Sequence, residues 1–105
     1  MAYTTIDDPE AYYQTALYTG NDSSNAITFD GDTNMQPDLI WLSNRGDDQS
    51  RFIVDVARGT DVYLESDSDD ADTDATGAFT SFDSDGFTLT GSGGRHNANT
   101  HTYVA

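Results

Sequence analysis

The residues able to do chemistry are dominated by one type. The chain has 105 residues, of which 19 are acidic, and 17 of those are Asp. Carboxylates this dense first suggest a hard cation. In the low-complexity stretch Ser66–Thr76 (SDSDDADTDAT), Asp70, Asp72 and Asp74 fall at the first, third and fifth positions of an EF-hand-like calcium loop. The rest of that pattern fails: the sixth position, which needs Gly, is Ala75, and the twelfth, where a bidentate Glu belongs, is Ser81. Among 17 Asp such spacing arises readily by chance, so the segment reads as a solvated acidic loop and no metal is assigned to it.

Other candidates are thinner. His96 and His101 stand five apart without an acidic third ligand nearby in sequence, and read as surface or interface histidines. Arg45-Gly46-Asp47 spells a cell-adhesion tripeptide, but reads as an inter-strand turn in which Gly supplies a positive φ. The four Arg (Arg45, Arg51, Arg58 and Arg95) should each find a carboxylate and fix loop geometry, the alternative being a role at an interface, where Arg is enriched. Carboxylate pairs for glycoside cleavage cannot be chosen among 19 acids, because their separation is a spatial property. No nucleophile elbow, phosphate-cradling glycine loop or Cys is present, so no catalytic residue and no cofactor is named.

The net charge of −15, with no Lys, repels phosphate backbones and anionic membranes and removes electrostatic nucleic-acid binding from consideration. No apolar run reaches the length of a membrane-spanning helix, and membrane insertion is not expected. The first ten residues lack the basic and apolar regions of a secretory signal. The length fits one domain.

Positioning elements follow from the spacing of turn formers. Gly20–Asp22, Asp30–Asp32, Gln36–Asp38, Asn44–Asp47, Arg58-Gly59, Asp85-Gly86 and Gly91–Gly94 punctuate the chain between eight short runs rich in β-branched and aromatic residues, the pattern of an antiparallel β-sandwich. Phe52, Val54 and Val56 alternate with Asp55, Phe87 and Leu89 with Thr88, and Val62 and Leu64 with Tyr63. Leu39-Ile40-Trp41-Leu42 shows no alternation and is expected to be a central strand covered on both faces, with Trp41 in the core. Asp8-Pro9-Glu10 could open one helical turn. The expected core is Leu17, Ile27, Phe29, Trp41, Phe52, Val54, Val56, Leu64, Phe79, Phe87, Leu89 and Tyr103.

Several ordered motifs carry a resemblance. Ile27–Gly31, Gln36–Arg45 (QPDLIWLSNR), Asp55–Gly59 (DVARG), Ser81–Leu89 (SFDSDGFTL) and Tyr103–Ala105 together resemble a domain of tailed-bacteriophage structural proteins, many from marine hosts. The opening MAYTTIDDPEAYYQTALYTG is similar to the start of such proteins. Two departures are Ser43 where that family has Lys, and the family's Trp after Tyr-Val-Ala, absent here, which implies that the polypeptide continues past Ala105.

The resemblance implies an all-β, antiparallel β-sandwich of jelly-roll or concanavalin-like, lectin-like type. It also implies a non-enzymatic virion structural protein, exposed on the particle as a capsid decoration or fibre component. Its expected partners are other virion proteins of capsid or tail, in a homo-oligomer, with a trimer implied. Residues 1–20 would form the anchoring segment, through Tyr3, Ile6, Tyr12 and Tyr13, and residues 21–105 the sandwich. The alternative is a tail-fibre module that grips host-surface glycan through Tyr63 or Tyr103 beside the Gly91–Asn99 loop. What separates the two is whether such an aromatic lies exposed in a concave patch or buried.

Overall fold

The computed structural model describes residues 8–74, 77–91, 93 and 95–105. The chain is an antiparallel β-sandwich. Among the described residues nine strands form: β1 (Leu17–Thr19), β2 (Asn25–Thr28), β3 (Leu39–Asn44), β4 (Phe52–Asp55), β5 (Val62–Glu65), β6 (Thr73–Asp74), β7 (Phe79–Asp83), β8 (Gly86–Leu89) and β9 (Thr102–Val104). Six form one sheet in the order β1-β9-β3-β4-β5-β6, and three form the other in the order β2-β8-β7. Before β1, Pro9–Ala11 makes one 3₁₀ turn with Pro in the first turn, where its missing N–H costs nothing. Among the described residues no helix is long and apolar enough to cross a membrane.

The core forms where period-two alternation turns aliphatic and aromatic side chains from both sheets inward. In the large sheet these are Ile40, Leu42, Phe52, Val54, Tyr63 and Tyr103; in the small one, Ile27, Phe79, Phe87 and Leu89, with Phe29 just beyond β2. The rings run in a chain across the interior. Tyr103 stacks on Tyr18 at 5.0 Å, Tyr18 meets Phe87 edge-on, Phe87 contacts Phe79, and Phe79 meets Phe52 edge-on. Edge-to-face and offset arrangements of this kind suit the ring quadrupoles.

Two motifs of the resemblance act as turns. Asp55 ends β4 and accepts the Arg58 N–H at 2.8 Å while pairing with the Arg58 guanidinium, and Gly59 follows at φ +86°. These bonds from Arg58 hold the Asp55 carboxyl below its ordinary value. In the Ser81–Phe87 hairpin, Asp83 accepts from Ser81 Oγ and Thr88 Oγ1. Gly86, at φ +148°, lies so close to β2 that a Cβ would stand 1.9 Å from the Ile27 carbonyl oxygen.

Four expected core residues lie elsewhere. Leu17 (66% exposed), Trp41 (62%) and Val56 (45%) face solvent, and Leu64 is half-buried. The β3 strand does alternate, with Ile40 and Leu42 inward and Leu39 and Trp41 outward, so one face of this central strand is open. Around Tyr63 the phase is reversed: the phenol is buried and Val62 and Leu64 lie on the other side. Leu17–Thr19, placed with the anchoring segment from sequence, is a strand of the sandwich paired with β9.

Candidate functional site

The polar candidates are consumed by the fold. Between β8 and β9, the side chains of Arg95, His96, Asn97 and His101 are tied to the rest of the sandwich. Asn97, fully buried, donates from Nδ2 to the carbonyls of Ser23 (2.6 Å) and Gly91 (2.9 Å) and accepts at Oδ1 from the Asn21 N–H (3.2 Å) and Asn25 Nδ2 (3.0 Å). Tyr18 OH donates to the His96 carbonyl, and Tyr103 OH accepts the Ala98 N–H. Burial raises both phenols above their ordinary value.

His96 is buried, against the surface position expected for it, with Nε2 bonded to the Thr90 carbonyl at 2.9 Å; desolvation lowers its pKa. His101 Nδ1 meets Asn44 Nδ2 at 3.0 Å. The two histidines serve separate internal bonds.

Tyr63 and Tyr103 are also buried, so the sugar-stacking patch expected beside Gly91–Asn99 does not form from them. Arg95 donates to both Tyr63 OH and Glu65, closing that end of the sandwich. Arg58 pairs with Asp55 and Arg51 lies 3.8 Å from Asp67, whereas Arg45 has no carboxylate partner among the described residues. The Arg45-Gly46-Asp47 turn does join two strands, but Gly46 lacks a positive φ; its N–H is held by Asn44 Oδ1 instead.

The acidic segment is exposed along Ser66–Asp72, and Asp74 pairs back onto Val62 through β6. Ser81, the twelfth position of the supposed calcium loop, sits in β7 of the other sheet. Among the described residues no cluster of three or more His, Asp or Glu could hold a metal. Ala75 and Thr76 of that loop, like the expected anchors Tyr3 and Ile6, lie outside the described residues.

The open chemistry is apolar. Tyr12 (65% exposed) and Tyr13 (76%) present themselves beside the outward face of β3, where Leu39 and Trp41 stand. Register carries this face further: Trp41 neighbours Ile53 on β4, while Ser43, Val104 and Leu17 form the next row across β3, β9 and β1. Between residues 11–15 and β3 opens a cleft of about 690 Å³. Tyr12, Tyr13 and Gln14 line one side and Leu39 and Trp41 the other, with Phe29 and Phe87 at the base.

Its walls are fixed. Gln14 donates to the carbonyls of Glu10 (2.9 Å) and Thr33 (2.7 Å) and accepts the Gly31 N–H, while Trp41 Nε1 donates to Ser66 Oγ at 3.1 Å. Asp38 and Arg51 are the charged residues of the lining. Tyr12 and Tyr13 were legible as exposed aromatics; Trp41 and Leu39 were not, because an unbroken apolar run carries no sign of which face stays bare.

Compared with known proteins, residues 8–105 match the profile of a family described as a domain of unknown function, DUF7483. The match spans most of the chain, and the chain belongs to that family. No curated protein and no solved structure matches it.

Proposed function

We propose that the chain is a non-enzymatic structural module of an assembled particle, a phage-virion decoration or fibre component that attaches through the face carrying Tyr12, Tyr13, Leu39 and Trp41. The observation that supports this is an exposed, contiguous set of large apolar side chains on a chain of net charge −15. Aromatic residues grouped around a cleft are the usual anchors of a protein interface. The acidic remainder keeps the particle surface soluble and resists non-specific contact. Attachment to symmetric sites on a capsid or tail would bring copies together as a homo-oligomer, with a trimer as the first arrangement to test.

A second reading has one observation in its favour. Trp41 is an exposed aromatic in a concave patch next to Gln36, Asp38 and Arg51, the pairing of ring and polar groups on which a host-surface sugar could stack. The test replaces Leu39 and Trp41 by Asp. Both side chains point outward, so the sandwich stays folded by circular dichroism. Attachment predicts that the variant is lost from purified particles. A variant retained at full occupancy but unable to bind host glycan would overturn attachment through this face in favour of sugar binding.

A further inference from the structure

Two bonds on one buried amide fix where a proton must sit. Asn44 closes β3 and is only 4% exposed. Its Oδ1 accepts the Gly46 N–H at 2.8 Å, which sets the orientation of the amide and aims Nδ2 at His101 Nδ1, 3.0 Å away. An amide nitrogen only donates, so Nδ1 is the bare, accepting nitrogen of a neutral ring and Nε2 carries the hydrogen. Backbone bonds hold both partners in place. The Arg45 N–H donates to the Thr102 carbonyl, the Gly20 N–H to that of His101, and the His101 N–H to that of Ala98.

A proton on Nδ1 sets two donors against each other. By turning over, the amide presents Oδ1 to the new Nδ1–H and gives up the Gly46 N–H. The exchange is favourable, because a hydrogen bond from a cation is about twice as strong as a neutral one. Gly46 is exposed, so water takes the place of Asn44 on its N–H at little cost. Withdrawal of the half-buried ring is the poorer answer, since it takes the buried Nδ2 off its acceptor.

We propose that Asn44 is a proton-operated latch: protonation of His101 turns the Asn44 amide over and releases the Arg45–Asp48 turn from the end of β3, while the sandwich stays folded. The two states differ by one amide rotation, a bistable element of the kind a pH switch requires. What it frees is exposed and charged, with Arg45, Asp47 and Asp48 on the turn. Bonds inside the turn survive the change: Asp47 keeps the Asp48 N–H at 2.9 Å, and its carbonyl keeps the Gln49 N–H at 3.0 Å. The turn therefore moves as a unit, pivoting where the Arg45 N–H stays on Thr102.

Other ionisable groups surround the latch and must be separated from it. Asp22, on the turn after β1, accepts the Asn99 N–H, and both Asp22 and Asp47 act on the Tyr103 phenol of β9. On β1 the Tyr18 hydroxyl is committed to the His96 carbonyl, and the His96 ring to that of Thr90. Arg45 is the basic group of the turn itself. The latch goes beyond the attachment reading and stands apart from it, since neither Asn44 nor His101 belongs to that face.

The test is an NMR titration of the isotopically labelled chain from about pH 8 to about pH 5, the range in which histidines change charge. At the alkaline end the His101 ring should show Nδ1 bare and Nε2 protonated. As His101 takes its proton, the Gly46 amide resonance should move upfield with the same midpoint. Its protection against exchange should fall about five-fold, the worth of one exposed hydrogen bond.

The His101→Asn variant keeps an acceptor for Asn44 but does not titrate, and should leave the Gly46 amide unchanged across the range. Asn44→Asp, whose oxygens accept from both sides, should hold Gly46 at both ends. Asp22→Asn, Asp47→Asn and His96→Gln should leave the coupling in place. A ring that carries its hydrogen on Nδ1 at the alkaline end, or a Gly46 amide indifferent to the His101 titration, overturns the inference in the parent chain without recourse to any variant. So does a Gly46 change that persists in His101→Asn or vanishes in Asp47→Asn.

Discussion

Asn97→Ala should be among the most damaging single changes outside the aromatic core. The side chain is fully buried and ties its own loop to Asn21–Asn25 at the start of β2 and to Gly91 just after β8. Removing it breaks three bonds from Nδ2, at 2.6, 2.9 and 3.3 Å, and two to Oδ1 at 3.0 and 3.2 Å. A hydrogen bond of this kind is worth about 1 kcal/mol net. The Ser23 and Gly91 carbonyls belong to exposed residues and regain water, so the whole set does not count in full. The expected loss is about 2–4 kcal/mol, or roughly 10–25 °C in midpoint for a domain of this size.

Urea titration followed by far-UV circular dichroism, with the slope held common, measures it. Asn97→Asp sharpens the argument, because it keeps the shape and acceptor but turns an oxygen toward two carbonyls. It should cost more than Asn97→Ala. A loss below about 0.5 kcal/mol for the Ala variant, or an Asp variant as stable as the parent, would refute the hub role.

Other perturbations probe charge. Raising NaCl from about 0.02 to 0.5 M should lift the melting midpoint by several degrees, since salt screens self-repulsion among 19 acids. Calcium at matched ionic strength should do no more; a calcium-specific rise would return Asp70, Asp72 and Asp74 to consideration as ligands. His96 is held neutral by burial, below its ordinary value of 6.5. Its contribution is therefore complete above pH 6.5 and falls as pH drops below it, because the unfolded chain takes the proton first. The stability gap between parent and His96→Gln should narrow as pH falls from about 7 to about 5. A gap constant with pH would mean that His96 titrates alike in both states.

Where alternation was sharp, sequence and structure agree: Phe52 and Val54, and Phe87 and Leu89, are inward as their polar neighbours require. Where apolar residues stood on both sides, the pattern held no phase. Leu39–Leu42 was assigned to a doubly covered strand, yet only its Ile40 and Leu42 face is buried, and Leu39 and Trp41 stay exposed. The sequence Val62-Tyr63-Leu64 could face either way, and the Tyr63 ring turns inward onto Phe52 at 5.0 Å. The polar hub was illegible for another reason. Asn97 sits in a Gly/Asn/Thr stretch that reads as loop, and its partners are 72 to 76 residues away or in a preceding turn, contacts that only the closed sandwich creates.

The exposed tyrosines were legible because Tyr12 and Tyr13 follow a turn and precede the first strand. The cleft beside them was not, because it depends on where β9 stops pairing with β3.

The measurement that bears most directly on the central claim is cryo-electron microscopy of the particle that carries this chain. The account predicts density for the sandwich on the outside of the particle, with Tyr12, Tyr13, Leu39 and Trp41 turned onto a neighbouring virion protein and the acidic segment Ser66–Asp72 facing solvent. Particles that lack the chain, or a chain bound with that apolar face turned outward, would contradict it.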